Sequence, residues 1–62
     1  MAIQMRFAVA WQVDGKEMFV RQSDTHEVYC WRTREEAQRV SEEINDQSDA
    51  DSYVIELKQV LH

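Results

Sequence analysis

The sequence predicts an α+β domain in which one helix packs on one face of a three-stranded antiparallel sheet. Three observations predict it. Residues 3–13 alternate apolar and polar side chains up to an Asp-Gly turn, a helix-capping sequence follows at residue 33, and residues 53–61 alternate again. The order of elements is therefore strand, strand, helix, strand (ββαβ). Because the helix returns the chain antiparallel to the first strand, we expect the sheet order 2-1-3.

The first strand has the period of two that is typical of a half-buried strand. We expect its apolar residues to face the helix, and these are Ile3, Met5, Phe7, Val9, Trp11 and Val13. The opposite face then carries Gln4, Arg6, Ala8, Ala10 and Gln12. Asp14 and Gly15 are residue types that accept the positive φ of a tight hairpin turn. The strand pairs that such a turn predicts are Val13 with Lys16, Trp11 with Met18, Val9 with Val20, Ala10 with Phe19 and Ala8 with Arg21.

The helix is predicted from its start signal and from its apolar stripe. Thr33 and Glu36 form a capping box, in which the Thr33 hydroxyl accepts from the Glu36 amide and the Glu36 side chain reaches back. We expect the helix to run from about residue 34 to residue 45. On its solvent face, Arg39 has the spacing to pair with Glu35 and with Glu43. The stripe that faces the sheet contains Ala37, Val40, Ser41 and Ile44.

The third strand follows an acid-rich loop over residues 45–52. We expect its inward residues to be Tyr53, Ile55, Leu57 and Leu61. Its outward residues are then Val54, Glu56, Lys58 and Val60. Since a single helix covers a single face, the outward residues are expected to meet solvent or a partner.

Length and charge limit the possible functions. The 62 residues are expected to form one domain, 1–62, and 12 acidic residues against 7 Lys and Arg give a net charge of −5. A surface of this sign repels phosphate, so direct binding to nucleic acid or to an anionic membrane is disfavoured, and a basic partner surface is favoured. Solubility alone also explains a charge of this size. One cysteine and no long apolar run predict a cytosolic protein without disulfides or a targeting segment.

Residue types suited to catalysis or metal binding are sparse. A structural zinc site needs four ligands, and the candidates outside the acidic residues are His26, Cys30 and His62, at no zinc-like spacing. Cys30 as a nucleophile would need His26 beside it as a base, whereas burial under the helix as a small apolar residue is the simpler role. We therefore expect no enzymatic activity, no metal and no cofactor.

Acidic residues cluster near the predicted end of the helix, uninterrupted by Lys or Arg. They are Glu42, Glu43, Asp46, Asp49 and Asp51. Helical residues three or four positions apart lie about 5–6 Å apart at Cβ, close to the spacing of phosphates along a nucleic-acid strand. A rigid row of these carboxylates suits a groove of Lys and Arg built for DNA. A solvated helix face is the simpler interpretation, and calcium binding is disfavoured because the segment lacks the glycine of an EF-hand loop.

The uncovered sheet face is the second candidate surface. Its predicted members are Arg6, Gln12, Phe19, Arg21, Val54, Glu56, Lys58 and Val60. A patch that combines Phe19 with Arg6 and Arg21 suits a dimer or partner interface, although one wet face is ordinary for an antiparallel sheet. Tyr29 and Trp31 either pack under the helix or anchor a partner.

Three segments carry a resemblance to known proteins: V-D-G-K at 13–16, W-R-T-R-E-E-A-Q-R-V at 31–40 and Y-V-I-E-L-K-Q-V at 53–60. Their layout resembles small phage- and prophage-encoded inhibitors, a group that acts on host RNA polymerase, uracil-DNA glycosylase or CRISPR effectors. The chain is most similar to the acidic anti-CRISPR proteins. The T-x-x-E-A helix start also resembles the arm-binding domain of phage integrases, but such domains need a basic sheet face and this chain is acidic.

The resemblance implies a phage-encoded inhibitor in the bacterial host cytosol. It would bind the basic, nucleic-acid-binding surface of a CRISPR surveillance (Cascade-like) complex through the five clustered acids, as a DNA mimic, and block target DNA binding. The alternative is a host-takeover protein that binds RNA polymerase or a DNA-repair enzyme through Arg6, Phe19 and Arg21. An accessory DNA-binding module is a third class, which the charge disfavours. We expect a monomer or a weak homodimer.

Overall fold

The computed structural model describes the backbone of residues 2–61 and the side chains of residues 3–58. Its elements are β1 (Ala2–Val13), β2 (Lys16–Phe19), α1 (Arg34–Gln47) and β3 (Tyr53–Leu61). β1 pairs antiparallel with both other strands, in the sheet order β2-β1-β3. The predicted α+β class, element order and sheet order are confirmed. His62 lies outside the described residues, as do the side chains of Val60 and Leu61.

A tight turn of two residues joins β1 to β2. Asp14 has a φ of 50° and Gly15 a φ of 81°, so both take the left-handed conformation that the predicted turn requires. The turn fixes which residues of the two strands stand opposite each other. The pairs that match the prediction are Val13 with Lys16, Trp11 with Met18 and Ala10 with Phe19.

The Val20 amide, just after β2, still donates to the Val9 carbonyl at 3.1 Å, in line with the predicted pairing of these residues. Beyond Val20 the chain leaves β1, makes an excursion and then returns. Arg21 pairs with Val28 rather than with Ala8, so the predicted pair of Ala8 with Arg21 is wrong. The polar residues between Arg21 and Val28 close a loop through their own backbone hydrogen bonds, which takes Arg21 off the β1 ladder. Trp31 then occupies the edge of β1 and exchanges two backbone hydrogen bonds with Phe7, at 3.0 and 2.7 Å.

α1 begins where the sequence predicts. The Thr33 Oγ accepts from the Glu36 amide at 3.2 Å, whereas the reciprocal bond from the Glu36 side chain is not among the hydrogen bonds of the described residues. The helix ends at Gln47 rather than at Asn45. It continues because neither glycine nor proline interrupts the segment, and because the Ser48 Oγ satisfies the carbonyl of Ile44 at 2.7 Å, one helical turn earlier.

α1 covers one face of the sheet, here called the helix side, which carries Phe7 and the other apolar residues of β1. The Arg34 guanidinium lies 5.2 Å from the centroid of the Phe7 ring and forms an ion pair with Glu56. Ala37 and Ser41 are buried on the predicted stripe. The stripe is therefore confirmed. The predicted inward face of β1 is confirmed for its middle, where Val9 is fully buried, but Ile3 is 67% and Val13 46% exposed.

The two faces of β3 are the reverse of the prediction. β3 pairs with β1 so that Val54 stands opposite Val9 and Glu56 opposite Phe7, and opposed residues share a face of the sheet. The helix side of β3 therefore includes Val54, Glu56 and Lys58, and its other face includes Tyr53, Ile55 and Leu57. The register joins odd-numbered residues of β1 to even-numbered residues of β3. A change of one residue in register exchanges the faces of a whole strand, which is why alternation alone assigned them wrongly.

The segment that returns to β1 turns Cys30 outward. Trp31 stands opposite Phe7 and so shares the helix side, and the ring of Tyr29 lies 4.7 Å from that of Trp31. Trp31 is half-buried, and Tyr29 is 43% exposed. Since alternate residues of an extended chain point to opposite sides, Cys30 faces away from the helix. It is exposed, and its predicted burial is wrong.

The most deeply buried part of the molecule lies at the middle of β1. Its fully buried hydrophobic residues are Ala8, Val9 and Ala10, together with Ala37 of the helix. Val9 and Ala37 lie between the sheet and the helix, whereas Ala8 and Ala10 lie on the opposite face of β1, beside Ile55 and Tyr53 of β3. Within residues 2–61, no helix combines the length and the apolar character needed to cross a membrane.

Candidate functional site

The predicted acidic residues surround the C-terminal end of α1 and form a surface here called the acidic end. Its members are Glu42, Glu43 and Asp46 of the helix and Asp49 and Asp51 of the following loop, and all five are exposed. On the helix, Asp46 follows Glu42 by four residues and Glu43 by three, so these carboxylates project from one side. The two loop residues continue the charge beyond the last turn.

A buried polar network fixes that loop against the helix. The hydroxyl oxygens of Ser41 and Ser52 are buried and lie 2.7 Å apart. The Asn45 Oδ1 accepts from the Ser52 amide at 2.7 Å and from the Ser52 Oγ at 2.8 Å, and the Asn45 Nδ2 donates to the Ser52 carbonyl at 3.2 Å. Because Ser52 is tied to the helix in this way, its neighbour Asp51 is held beside the last turns of α1.

Basic side chains do not neutralise the acidic end within residues 3–58. Among the described side chains, an ion pair joins Arg34 to Glu56 at the start of the helix. The predicted pairs of Arg39 with Glu35 and with Glu43 are not formed among them. The last turn of α1 contains no basic residue. Among the described side chains, Glu42 and Glu43 accept from glutamine amides, at 3.5 and 3.4 Å. These carboxylates also face the negative end of the helix dipole, so a basic partner would relieve a concentration of like charge.

The open face is the side of the sheet away from α1. Of its predicted members, Arg6, Gln12 and Phe19 lie there by register, whereas Val54, Glu56 and Lys58 lie on the helix side and the side chain of Val60 is outside the described part. Tyr53, Ile55 and Leu57 take the vacated positions. Phe19 and Ile55 are half-buried, and Leu57 is 37% exposed. The open face is therefore more apolar than the sequence predicts.

Tyr53 links the three strands at one end of the open face. Its hydroxyl donates to the Glu17 Oε2 at 2.6 Å and accepts from the Gln12 Nε2 at 3.2 Å. The bond to the Glu17 carboxylate raises the pKa of Tyr53, because loss of the phenolic proton would break that bond, and the Gln12 amide acts in the opposite direction. This bridge is structural, since it holds β2 and β3 across β1.

Arg21 lies in the excursion rather than in the three-stranded ladder. Its Nη1 donates to the carbonyl of His26 at 2.9 Å, and His26 holds a φ of 61°. An open depression of about 480 Å³ is lined by Arg21, Gln22, Ser23, Asp24 and Tyr29. The second predicted surface is thus divided between Arg6 and Phe19 in the sheet and Arg21 in this loop.

Residues of the types that ligate metals do not converge. Among the described side chains, no three or more His, Cys, Asp or Glu come close enough together to hold a metal ion. The Cys30 Sγ lies 3.8 Å from the carbonyl of Val28, and the His26 amide donates to the carbonyl of Gln22 at 3.0 Å. Both contacts serve the local backbone.

Two features of these surfaces were missed from the sequence. The placement of Ile55 and Leu57 on the open face had no signal, because Val54 makes the other side of β3 apolar as well. The network of Ser41, Asn45 and Ser52 did have a signal in the sequence. A serine at a sheet-facing position of the helix needs a hydrogen-bond partner when it is buried.

Comparison with models of protein families, with curated proteins and with solved structures gives no match. Function is therefore inferred from the two surfaces described above.

Proposed function

We propose that this domain is a phage-encoded inhibitor of the anti-CRISPR type. It binds the DNA-binding surface of a CRISPR surveillance complex through its acidic end and blocks target DNA binding. The observation that carries the proposal is a set of five exposed carboxylates, without a basic partner among the described side chains, on a segment fixed by buried hydrogen bonds.

Helical geometry gives the three acids of α1 a spacing that suits a surface built for DNA. Neighbouring positions on the helix lie about 5–6 Å apart at Cβ, and the phosphates of one strand follow one another at about 3.4 Å of axial rise, with a longer separation along the backbone path. A row of Lys and Arg that contacts a DNA backbone therefore meets negative charge at comparable intervals. Binding would release the counterions that both charged surfaces hold, as DNA binding does.

The rigidity of the acidic end supports the same proposal. A flexible acidic tail must be ordered when it binds, and fixing its backbone costs about 1–2 kcal/mol for each residue. Here the backbone of the loop is already held by Ser41, Asn45 and Ser52. A preorganised charge pattern loses less entropy and resembles the fixed geometry of a duplex more closely.

A charge-reversal experiment tests the proposal. Asp46→Lys combined with Asp49→Lys changes two members of the acidic end, and Asp24→Lys combined with Glu27→Lys makes the same net change in the exposed loop of the excursion. Each variant competes with labelled duplex DNA for a purified Cascade-like complex, at salt concentrations from about 50 to about 200 mM.

We expect the acidic-end variant to lose inhibition by at least about tenfold, and the control variant to inhibit like the wild type with the same decrease at high salt. Circular dichroism checks that both variants remain folded. Full inhibition by the acidic-end variant, or equal losses in both variants, would show that the acidic end does not form the binding surface.

The open face supports a second candidate, a host-takeover protein that binds RNA polymerase or a DNA-repair enzyme. The observation that favours it is the apolar character of this face, where Ile55 and Leu57 join Phe19 and Arg6. Partner-binding patches commonly combine aromatic residues and arginine in this way. Competition with DNA is not required for such a partner.

The two candidates differ in which substitutions matter. If the open face binds the partner, Phe19→Ala should weaken binding by about tenfold or more, while the reversal of Asp46 and Asp49 leaves it unchanged. Met18→Ala serves as the control, because Met18 is 41% exposed and stands opposite Trp11 on the helix side of the sheet. Inhibition that survives Phe19→Ala but not the acidic-end reversal would eliminate the second candidate.

A further inference from the structure

The outer edge of β3 is the longest unpaired edge of the described sheet. β3 spans nine residues, pairs with β1 along one side and has no strand on its other side. β2, at the opposite edge, spans four residues. A long edge without proline or glycine presents a row of backbone donors and acceptors to any second strand. This edge is independent of the acidic end and of the proposed function.

We propose that two copies of this chain pair through the outer edges of their β3 strands. The strands run antiparallel, with the two-fold axis beside Leu57, so that the two sheets become one continuous sheet. A two-fold axis between antiparallel strands runs perpendicular to the sheet, and both copies therefore present the same face to the same side. The open faces join, and Leu57, which is 37% exposed, stands opposite its own copy.

Charge complementarity selects this register. With Leu57 opposite its copy, Glu56 of each chain stands opposite Lys58 of the other, which gives two cross-strand pairs of opposite charge. Moving the axis by one residue places either Glu56 opposite Glu56 or Lys58 opposite Lys58. Directly opposed like charges destabilise strand pairing. The Glu-Leu-Lys sequence is therefore self-complementary about its centre.

Both charged side chains are available in the single chain. Glu56 and Lys58 are exposed on the helix side of β3. Glu56 pairs with Arg34 and its side chain remains 47% exposed, so a second cation can approach it. Lys58 has no carboxylate within ion-pair distance among the described side chains. Pairing across the two-fold axis would supply a carboxylate, that of Glu56 in the second copy.

Sedimentation velocity over protein concentrations from about 10 μM to about 1 mM tests the proposal. The wild type should pass from monomer to dimer within this range. Lys58→Glu should weaken the dimer by about tenfold or more, since both cross-strand pairs become repulsive. Glu56→Lys should do the same, and Glu27→Lys, an equal charge change in the excursion, should not.

Mixing the variants provides the decisive readout. Chains with Glu56→Lys carry two positive charges at these positions and chains with Lys58→Glu carry two negative ones, so an equimolar mixture should form a heterodimer at least as readily as the wild type pairs with itself. The double variant Glu56→Lys with Lys58→Glu should recover self-association. Lys58→Glu keeps the Arg34 contact with Glu56, so it tests the register even if Glu56→Lys loses stability together with that contact.

Other outcomes overturn the inference. A wild type that remains monomeric over the whole range shows that the edge is protected rather than paired. A dimer that ignores both reversals lies on another surface, such as the open face. Reversals that weaken the dimer without recovery in the mixture exclude the register with Leu57 at its centre. Each of these outcomes can occur whether or not the acidic end binds a CRISPR complex.

Discussion

Ser52→Ala measures how strongly the buried network holds the acidic end. The Ser52 Oγ lies 2.7 Å from the Ser41 Oγ, 2.8 Å from the Asn45 Oδ1 and 3.0 Å from the Ser41 carbonyl. With one proton to donate, it makes about two neutral hydrogen bonds, each contributing about 1 kcal/mol. The variant should therefore lose about 2 kcal/mol of the roughly 3–9 kcal/mol expected for a domain of this length.

Urea denaturation followed by fluorescence of the two tryptophans measures this loss. With a slope of about 1 kcal/mol per molar urea, the midpoint should fall by about 2 M. Ser23→Ala is the matched control, because it removes the same hydroxyl at an exposed position where the side chain makes no hydrogen bond to the described residues. It should change the free energy of unfolding by about 0.5 kcal/mol or less.

A double variant isolates the contact between the two serines. When Ser41→Ala and Ser52→Ala are combined, neither hydroxyl is left buried without its partner, so the loss should be smaller than the sum of the single losses by about 1 kcal/mol. Strictly additive losses would refute the reasoning. A loss for Ser52→Ala no larger than that of the Ser23→Ala control would refute it as well.

Three further predictions concern stability. His26→Gly should raise the free energy of unfolding by up to about 1 kcal/mol, because a φ of 61° strains a residue with a Cβ. The greater conformational freedom of glycine in the unfolded chain offsets only part of that gain. A lower urea midpoint would contradict this prediction. The bond to Glu17 raises the pKa of Tyr53 above 10.0. The stability that this bond adds is therefore complete below pH 10.0 and is lost as the pH rises through the folded-state pKa. Urea midpoints between about pH 9 and about pH 11 should therefore fall less steeply for Tyr53→Phe than for the wild type. Arg34→Met should cost about 0.5–1 kcal/mol, since it removes the cation–π contact with Phe7 and a half-exposed ion pair; an unchanged midpoint at low salt would show that neither contact contributes.

The sequence by itself determined the local elements and the order in which they pair. The Asp14-Gly15 turn, the Thr33 cap and the apolar alternation of β1 each depend on residues near one another in the chain. Their physical causes are positive φ, a missing helical hydrogen bond and the period of two of a strand. These local elements, together with the order in which the chain connects them, were enough to place β3 beside β1. The five acids of the acidic end could also be identified from sequence, because charged side chains remain exposed unless a partner buries them.

Tertiary structure alone decided which way each strand and each returning segment faces. The faces of β3 depend on its register against β1, which places Glu56 opposite Phe7, and a single residue of slip would exchange them. Cys30 is exposed because Trp31 pairs with Phe7, a contact between distant parts of the chain. The burial of Ser52 against Ser41 likewise arises only when the helix end meets the start of β3. Contacts of this kind are set by how the elements pack, and composition or periodicity within one segment carries no information about them.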